Sequence, residues 1–364
     1  MGYQSSDLHA MTPFMDSMAN QGIKLTNYYS MYLCSPARAS LLTGRYVFRY
    51  GMQYNVVQPT APWGLPLGEK LMPEYFKDAG YATHMVGKWH LGMYLEDYLP
   101  HRRGFDTFLG YLNDEEDYWT HQVKKWRHLS FQHHGASYSV LDRGKKFYDF
   151  GYGDKDGYIN ETTHIPRHGP DYIGKYSTTV FTDRAIKIVE KHAEENDTQP
   201  LFLYFASQAL HTPINPPDLS VFNEEQLKAI DDITTDRLIR KEFARVRRGT
   251  WRGVLLYLDM SVERLVKSLE ATGLMDNAII IVTSDNGGCR MYGGSNFPLR
   301  GIKHTYWEGG NKVPGFVYSP ALLPRHVWGT AYDRLMHVTD WLPTLSSLAG
   351  YYVDKSYVDG KDHW

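Results

Sequence analysis

Cys34 opens the run Cys34-Ser35-Pro36-Ala37-Arg38-Ala39-Ser40-Leu41-Leu42-Thr43-Gly44-Arg45, the segment of this chain with the most concentrated chemistry. Pro36 suits the first turn of a helix, so position 34 would stand at a helix N-terminus, where backbone N–H groups favour an anion. A buried structural cysteine is the plain alternative, since free Cys is among the most buried residue types. Lys88 and His90 lie two apart on an extended segment, share a face and can both reach one anion. On spacing alone, a surface lysine beside a core histidine is the blander reading. His211, before Thr212-Pro213, reads by itself as a structural histidine near a proline turn. Asp285-Asn286-Gly287-Gly288 reads by itself as an Asn-Gly turn.

Taken together, these segments resemble the sulfatase family. In its signature a Cys, Pro two on, Arg four on and a Leu-Thr-Gly end are recognised as one unit by a modifying enzyme. The implied product is formylglycine, an aldehyde made from Cys34, and the implied partner is the formylglycine-generating enzyme. The chemistry gives a reason for such a residue. A serine alcohol attacking a sulfate ester would leave a stable sulfo-enzyme. One hydroxyl of a hydrated aldehyde attacks sulfur, and the second then collapses the adduct and expels sulfate, so one hard step becomes two easier ones.

Gly80-Tyr81-Ala82-Thr83-His84-Met85-Val86-Gly87-Lys88-Trp89-His90-Leu91-Gly92 also resembles the family, which implies that Lys88 holds sulfate and His90 contacts the formylglycine hydroxyl. By the same resemblance His211 protonates the leaving alcohol, Lys303 is a second sulfate-binding lysine, and Arg38 stabilises the charged nucleophile. Residue 34, Asp285 and Asn286 are the implied metal ligands, and their hard oxygens suit one calcium ion better than zinc. Two lysines, an arginine and a divalent cation would clamp a dianionic transition state. His101-Arg102-Arg103-Gly104-Phe105-Asp106, Trp307-Glu308-Gly309-Gly310 and Asp340-Trp341-Leu342-Pro343-Thr344-Leu345 look most like the arylsulfatase B group, the N-acetylgalactosamine 4-sulfatases. That implies an alkaline-phosphatase-like fold, a sulfated sugar or glycosaminoglycan as substrate, and a lysosomal or secreted location.

Relatives carry an Asp-Asp pair at the end of their first strand, and Gly2-Tyr3-Gln4-Ser5-Ser6 resembles the segment just after it. They continue into a small C-terminal domain beyond the point matched by Asp359 to Trp364. The expectation is therefore one catalytic domain over residues 1–364 without its first strand or that small domain, holding calcium weakly. Asp7 and Asp16 are poor substitutes for the pair.

The elements that must position these residues follow from pattern. Thr12-Pro13 begins a short helix that Gly22 closes, and Ile23 to Tyr29 is β-rich. Leu67 to Asp78 reads as helix and Tyr81 to Val86 as strand. Residues 114–172, rich in Gly, Tyr, His and charge, read as a long irregular solvent-facing insertion. Helix is expected from Ser177 to about Glu195 and strand from Leu201 to Phe205. The basic stretch Arg237 to Arg252 reads as a solvated face preceding a helix whose apolar residues from Val254 to Leu269 recur every three or four positions. Ala278 to Thr283 reads as a strand buried on both faces, Val313 to Tyr318 as another strand, and Asp340 to Leu348 as helix. Alternating strands and helices give a three-layer α/β fold with a mainly parallel sheet, whose ligands gather past the strand C-termini.

With 39 Lys+Arg against 41 Asp+Glu over 364 residues, no basic excess argues for nucleic acid. The 28 tyrosines suit surfaces that stack on sugars, as well as ordinary tyrosine-rich loops. Cys34 and Cys289 are the two cysteines, and oxidation of the first would leave no intrachain disulfide. The sequons Asn160-Glu161-Thr162 and Asn196-Asp197-Thr198 would fit a secretory route. No apolar run approaches a membrane span, and no signal peptide is visible. Two other classes are open: a noncatalytic protein that binds sulfated glycans through the same cations, separated from an enzyme by turnover, and a phosphoesterase, which the signature cysteine and sparse metal-binding clusters oppose.

Overall fold

The computed structural model describes residues 1–5, 8–59, 61–123, 130–133, 136–139, 147–148, 150–154, 169–195, 198–232 and 242–364. Asp7, the sequon Asn160-Glu161-Thr162, Asn196 and Asp197 of the other sequon, and residues 237–241 of the basic stretch lie outside the described residues.

Two four-stranded sheets form the centre. The first orders β5 (Leu201–Ala206), β2 (Ala82–Lys88), β3 (Thr107–Tyr111) and β4 (Phe150–Gly153); β5, β2 and β3 run parallel, and β4 closes the edge antiparallel to β3. The second orders β6 (Ile280–Thr283), β7 (Gly315–Tyr318), β1 (Ile23–Leu25) and β8 (Ala331–Tyr332), with β7 antiparallel to both neighbours and β8 parallel to β1. Side chains alternate across a strand, and β5 shows the result. Leu201, Leu203 and Phe205 face α4 (Ser177–Glu195) with Val180, Phe181 and Ile188, whereas Phe202 and Tyr204 face the layer of α2 (Cys34–Thr43), α3 (Met72–Asp78) and α6 (Trp341–Leu348). On the α4 side of the second sheet lie α1 (Pro13–Asn20) and α5 (Glu242–Ala271), where Met15, Met18 and Val266 pack on Phe316. Helices on both faces make the three-layer α/β fold that the alternating pattern predicts.

Most elements lie where expected, and the departures have local causes. The helix expected over Leu67 to Asp78 is only Met72–Asp78: Leu71 is extended and Pro73 sits in the first turn, where its missing N–H costs nothing. The basic stretch does not precede the long helix; from Glu242 onward it is that helix. Arg252 is buried and donates to the Asp232 carbonyl at 2.6 Å, so it is not part of a solvated face. The insertion is less irregular than its composition suggests, since Phe150–Gly153 joins the main sheet and Tyr118 and His121 are buried.

The strand expected to be buried on both faces, Ile280–Thr283, is only partly buried throughout. Among the described residues, β5 is laddered on one edge to β2 alone and β6 on one edge to β7 alone. Both line a cavity of about 2430 Å³ that also touches Leu258, Val262 and Leu265 of α5 and Leu42 of α2. The cavity continues past the strand ends to Lys88, His211, Asp285 and Lys303.

Candidate active site

The polar end of that cavity is assembled from five separate stretches of chain. Helix α2 starts at Cys34, with Leu33 extended before it and Gly44 in the left-handed conformation (φ 64°) after it. The helix brings Arg38 one turn on from Cys34, on the same face. Arg38 is buried; one terminal nitrogen donates to the Lys88 carbonyl (2.6 Å), and the other contacts the Asp285 carboxylate (3.3 Å).

Strand β2 delivers the next pair. Gly87 has φ 104°, and a side chain there would overlap the Ala206 carbonyl, so glycine allows the strand to turn as it ends. Lys88 follows, fully buried, its ammonium held by the Asp114 carbonyl at 2.5 Å. Trp89 turns into the core, where its indole donates to the Tyr98 carbonyl. His90 lies beyond the strand with φ 61°, so the segment is not extended at that position as the spacing argument assumed; Lys88 and His90 nevertheless both act on Cys34. His90 Nε2 donates to the Val57 carbonyl (3.0 Å), and the Ser35 hydroxyl donates to the His90 carbonyl (2.8 Å).

His211 and Lys303 complete the ring. The His211 carbonyl accepts the Tyr118 hydroxyl at 3.0 Å, while Gln208, whose carbonyl receives the His211 N–H, is tied to Ser177 and to the Glu116 carbonyl. Because a carbonyl only accepts, the 2.8 Å contact with Thr212 O puts the proton on His211 Nδ1. Its Nε2 then accepts from the Lys303 ammonium at 3.1 Å. Asn286 Oδ1 receives the Cys34 thiol at 3.3 Å.

Burial pushes the Cys34 thiol up, but the charges of Lys88 and Lys303, with His211 and His90 beside it, overcome that and hold the thiol well below its ordinary range. Burial lowers Lys88, partly offset by Cys34. It also lowers His90 and His211, and the Lys88 charge reinforces that shift at both rings. The arrangement therefore favours a negative charge at position 34 and neutral imidazoles beside it. It suits an anion brought up to a nucleophile at that position, with a second negative charge shared in the transition state.

All eight residues singled out by the sequence, Cys34, Arg38, Lys88, His90, His211, Asp285, Asn286 and Lys303, converge here. Sequence reasoning missed the Asp114 carbonyl on Lys88, the Ser35 bridge and the Gln208 network behind His211. Ser35 lay within the signature run and was available to it, whereas a backbone carbonyl has no residue-type signal. The fit to calcium is incomplete. Asp285 and Asn286 offer one carboxylate and one amide, and both are already engaged, by Arg38 and Cys34. Among the described residues no group of three or more His, Cys, Asp or Glu is arranged to hold a metal ion. Calcium takes about six to eight oxygens, so these residues alone do not make a calcium site.

Known proteins resemble this chain over most of its length. A sequence model of the family described as Sulfatase matches residues 1–351. Arylsulfatase J of Mus musculus is 38% identical over 100% of this chain and 52% of its own length; arylsulfatase A of Homo sapiens is 30% identical over 96% of this chain and 62% of its own. N-acetylgalactosamine-6-sulfatase of Mus musculus is 29% identical over 93% of this chain. The chain thus spans about half the length of the first of these relatives. Among solved structures, Ps i-CgsB in complex with k-i-k-neocarrahexaose superposes with a TM-score of 0.77 at 26% identity, covering 99% of this chain and 71% of that one.

Proposed function

Because the chain belongs to the sulfatase family, we propose that it forms the catalytic body of a sulfuric ester hydrolase that removes sulfate from a sulfated sugar, with formylglycine made from Cys34 as the nucleophile. The observation that carries this reading is Cys34 at a helix N-terminus under the combined charge of Lys88 and Lys303. When present, the aldehyde supplies an alcohol nucleophile that can be regenerated without hydrolysing a stable ester. The remaining roles fall to residues of this chain. Lys88 and Lys303 bind the sulfate oxygens, and Arg38 holds the signature helix against β2 through the Lys88 carbonyl while adding positive charge. His90, fixed by the Val57 carbonyl, holds the proton of the group at position 34.

His211 is the general acid of this reading. Its Nε2 accepts from Lys303; a bound sulfate anion that draws the lysine away and offsets the positive charges that lower the ring lets Nε2 take up a proton from solvent, which it then passes to the leaving oxygen. The calcium implied by the family would be held by residue 34, Asp285 and Asn286 among the described residues, and no step depends on it. The reading also brings a modifying partner, the formylglycine-generating enzyme, and a lysosomal or secreted destination. No helix among the described residues is long and apolar enough to cross a membrane.

Two measurements test the reading. Mass spectrometry of the tryptic peptide holding Cys34, after expression with the formylglycine-generating enzyme, is expected to show aldehyde in place of thiol. Cys34→Ser and Cys34→Ala are both expected to abolish turnover of aryl sulfates. Multiple turnover by the serine variant near the parent rate would overturn the mechanism.

A further inference from the structure

Beyond the charged ring, the cavity opens onto a loop built to hold its shape. Residues 288–303 leave directly from Asp285-Asn286 and return to Lys303, and their neck is pinned at Gly288. Gly288 N donates to Asn296 Oδ1 (2.8 Å), Asn296 Nδ2 returns to Gly288 O (2.9 Å), and Lys303 N donates to the same carbonyl (3.2 Å). A loop tied at its neck in this way spends ordering entropy before any ligand arrives. Phe297, which lines the cavity, is 73% exposed.

His304 lies at the other end of the loop. It is an exposed non-glycine residue at φ 76°, a conformation costing on the order of 1 kcal/mol or more and tolerated where the surroundings impose it. Here Tyr32 imposes it, its carbonyl accepting the His304 N–H at 3.1 Å. Tyr32 is itself buried, two residues before Cys34, and packs against Tyr306 with 4.1 Å between ring centroids and the rings tilted by 48°. The imidazole lines the same cavity, close enough to Lys303 and Cys34 to respond to their charge.

Resting on the sulfatase reading above, we propose that Phe297 and His304 form a saccharide subsite at the mouth of the cavity and determine specificity for a sugar sulfate. The apolar face of the ring lies on Phe297, and its hydroxyls meet the His304 imidazole, while the sulfate reaches inward to Lys88 and Lys303. The commitment to a sugar comes from pairing one exposed aromatic with one polar side chain that can both donate and accept. His304 directly follows Lys303, and Phe297 lies in the loop whose neck Gly288 ties to Asn296 and Lys303.

The test measures equilibrium binding by calorimetry in the Cys34→Ala background, with inorganic sulfate and sulfated N-acetylgalactosamine as probes. Phe297→Ala and His304→Gly are each expected to weaken the sugar sulfate about five- to tenfold more than inorganic sulfate, as expected from losing roughly half a ring's contact. Phe297→Trp is expected to restore the ratio. His304→Gly should keep a cooperative melting transition near that of the parent, because relief of the φ 76° backbone offsets the greater unfolded-state entropy of glycine, and that transition shows that the variant is folded. Equal weakening of both probes, or none, overturns the subsite while leaving sulfate recognition intact. Failure of the Cys34→Ala protein to bind either probe, together with no aryl sulfate turnover by the parent, overturns the sulfatase reading as well.

Discussion

At the scale of single residues, the informative atom is His211 Nε2. The Thr212 carbonyl fixes the tautomer and Lys303 occupies the lone pair, so one bond orients the ring and the other reserves the nitrogen that must act. The consequence is selective. His211→Ala is expected to slow hydrolysis of alkyl and sugar sulfates by roughly 10²- to 10⁴-fold, because only a poor leaving group needs its oxygen protonated. Nitrophenyl sulfate, whose anion leaves unaided, should lose far less. Steady-state kinetics on both esters decides it, and an equal loss would reduce His211 to a structural role.

At the scale of elements, one carboxylate ties two helices of the same layer together. The buried Asp259 carboxylate of α5 accepts the N–H groups of Phe14 (2.9 Å) and Met15 (2.8 Å), capping α1 from far along the chain. Burial raises its pKa to about 6, and the two helix N–H groups oppose that shift. Asp259→Ala is expected to lose about 1–2 kcal/mol, the ordinary worth of an N-cap, with Asp259→Asn intermediate because it keeps one acceptor. Denaturant unfolding measures both, and a neutral alanine variant would show that α1 needs no cap.

His84 on β2 makes the sheet acid-sensitive. Burial lowers its pKa to about 4, Asp106 opposes this, and Arg184, His192 and Lys191 add to it; its Nδ1 lies 2.7 Å from the Thr107 hydroxyl. The fold therefore favours the neutral ring. The unfolded chain binds the extra proton between its usual pKa of about 6.5 and the folded value, so this stabilisation is complete above pH 6.5 and is lost as pH falls toward 4. Melting temperature should drop more steeply between pH 7 and 4.5 for the parent than for His84→Gln. Parallel curves would assign the acid sensitivity elsewhere.

At the scale of the whole molecule, the edges of β5 and β6 that no strand among the described residues covers are the main liability. Unpaired strand edges template association, and contiguous apolar lining binds other apolar surfaces. The folded chain is expected to bind an apolar dye such as anilinonaphthalene sulfonate and to associate at micromolar concentration by light scattering. A monodisperse protein that leaves the dye dark below its melting temperature would show that the cavity between these strands is closed in solution.

The sequence by itself determined the family and most of the elements. Cys34 to Arg45, Lys88-Trp89-His90, His211, Asp285-Asn286 and Lys303 were singled out by their resemblance to sulfatase motifs, since residue type and spacing alone left Lys88 and His90, His211 and Asp285-Asn286 with ordinary structural readings. The helix from Ser177 to Glu195 and the strand from Leu201, expected to end at Phe205 and ending at Ala206, were legible because local pattern carries their meaning. Tertiary structure alone decided the start of α3 at Met72, the inclusion of the basic stretch in α5, and the pairing of Phe150–Gly153 with β3. It also decided the Asp259 cap, the Asp114 carbonyl on Lys88, the strained His304 and the partial burial of Ile280–Thr283. Each of these depends on which distant backbone group or strand edge comes alongside. A local pattern says what a residue can do and which way it faces, but the partner it meets is set only when the layers close.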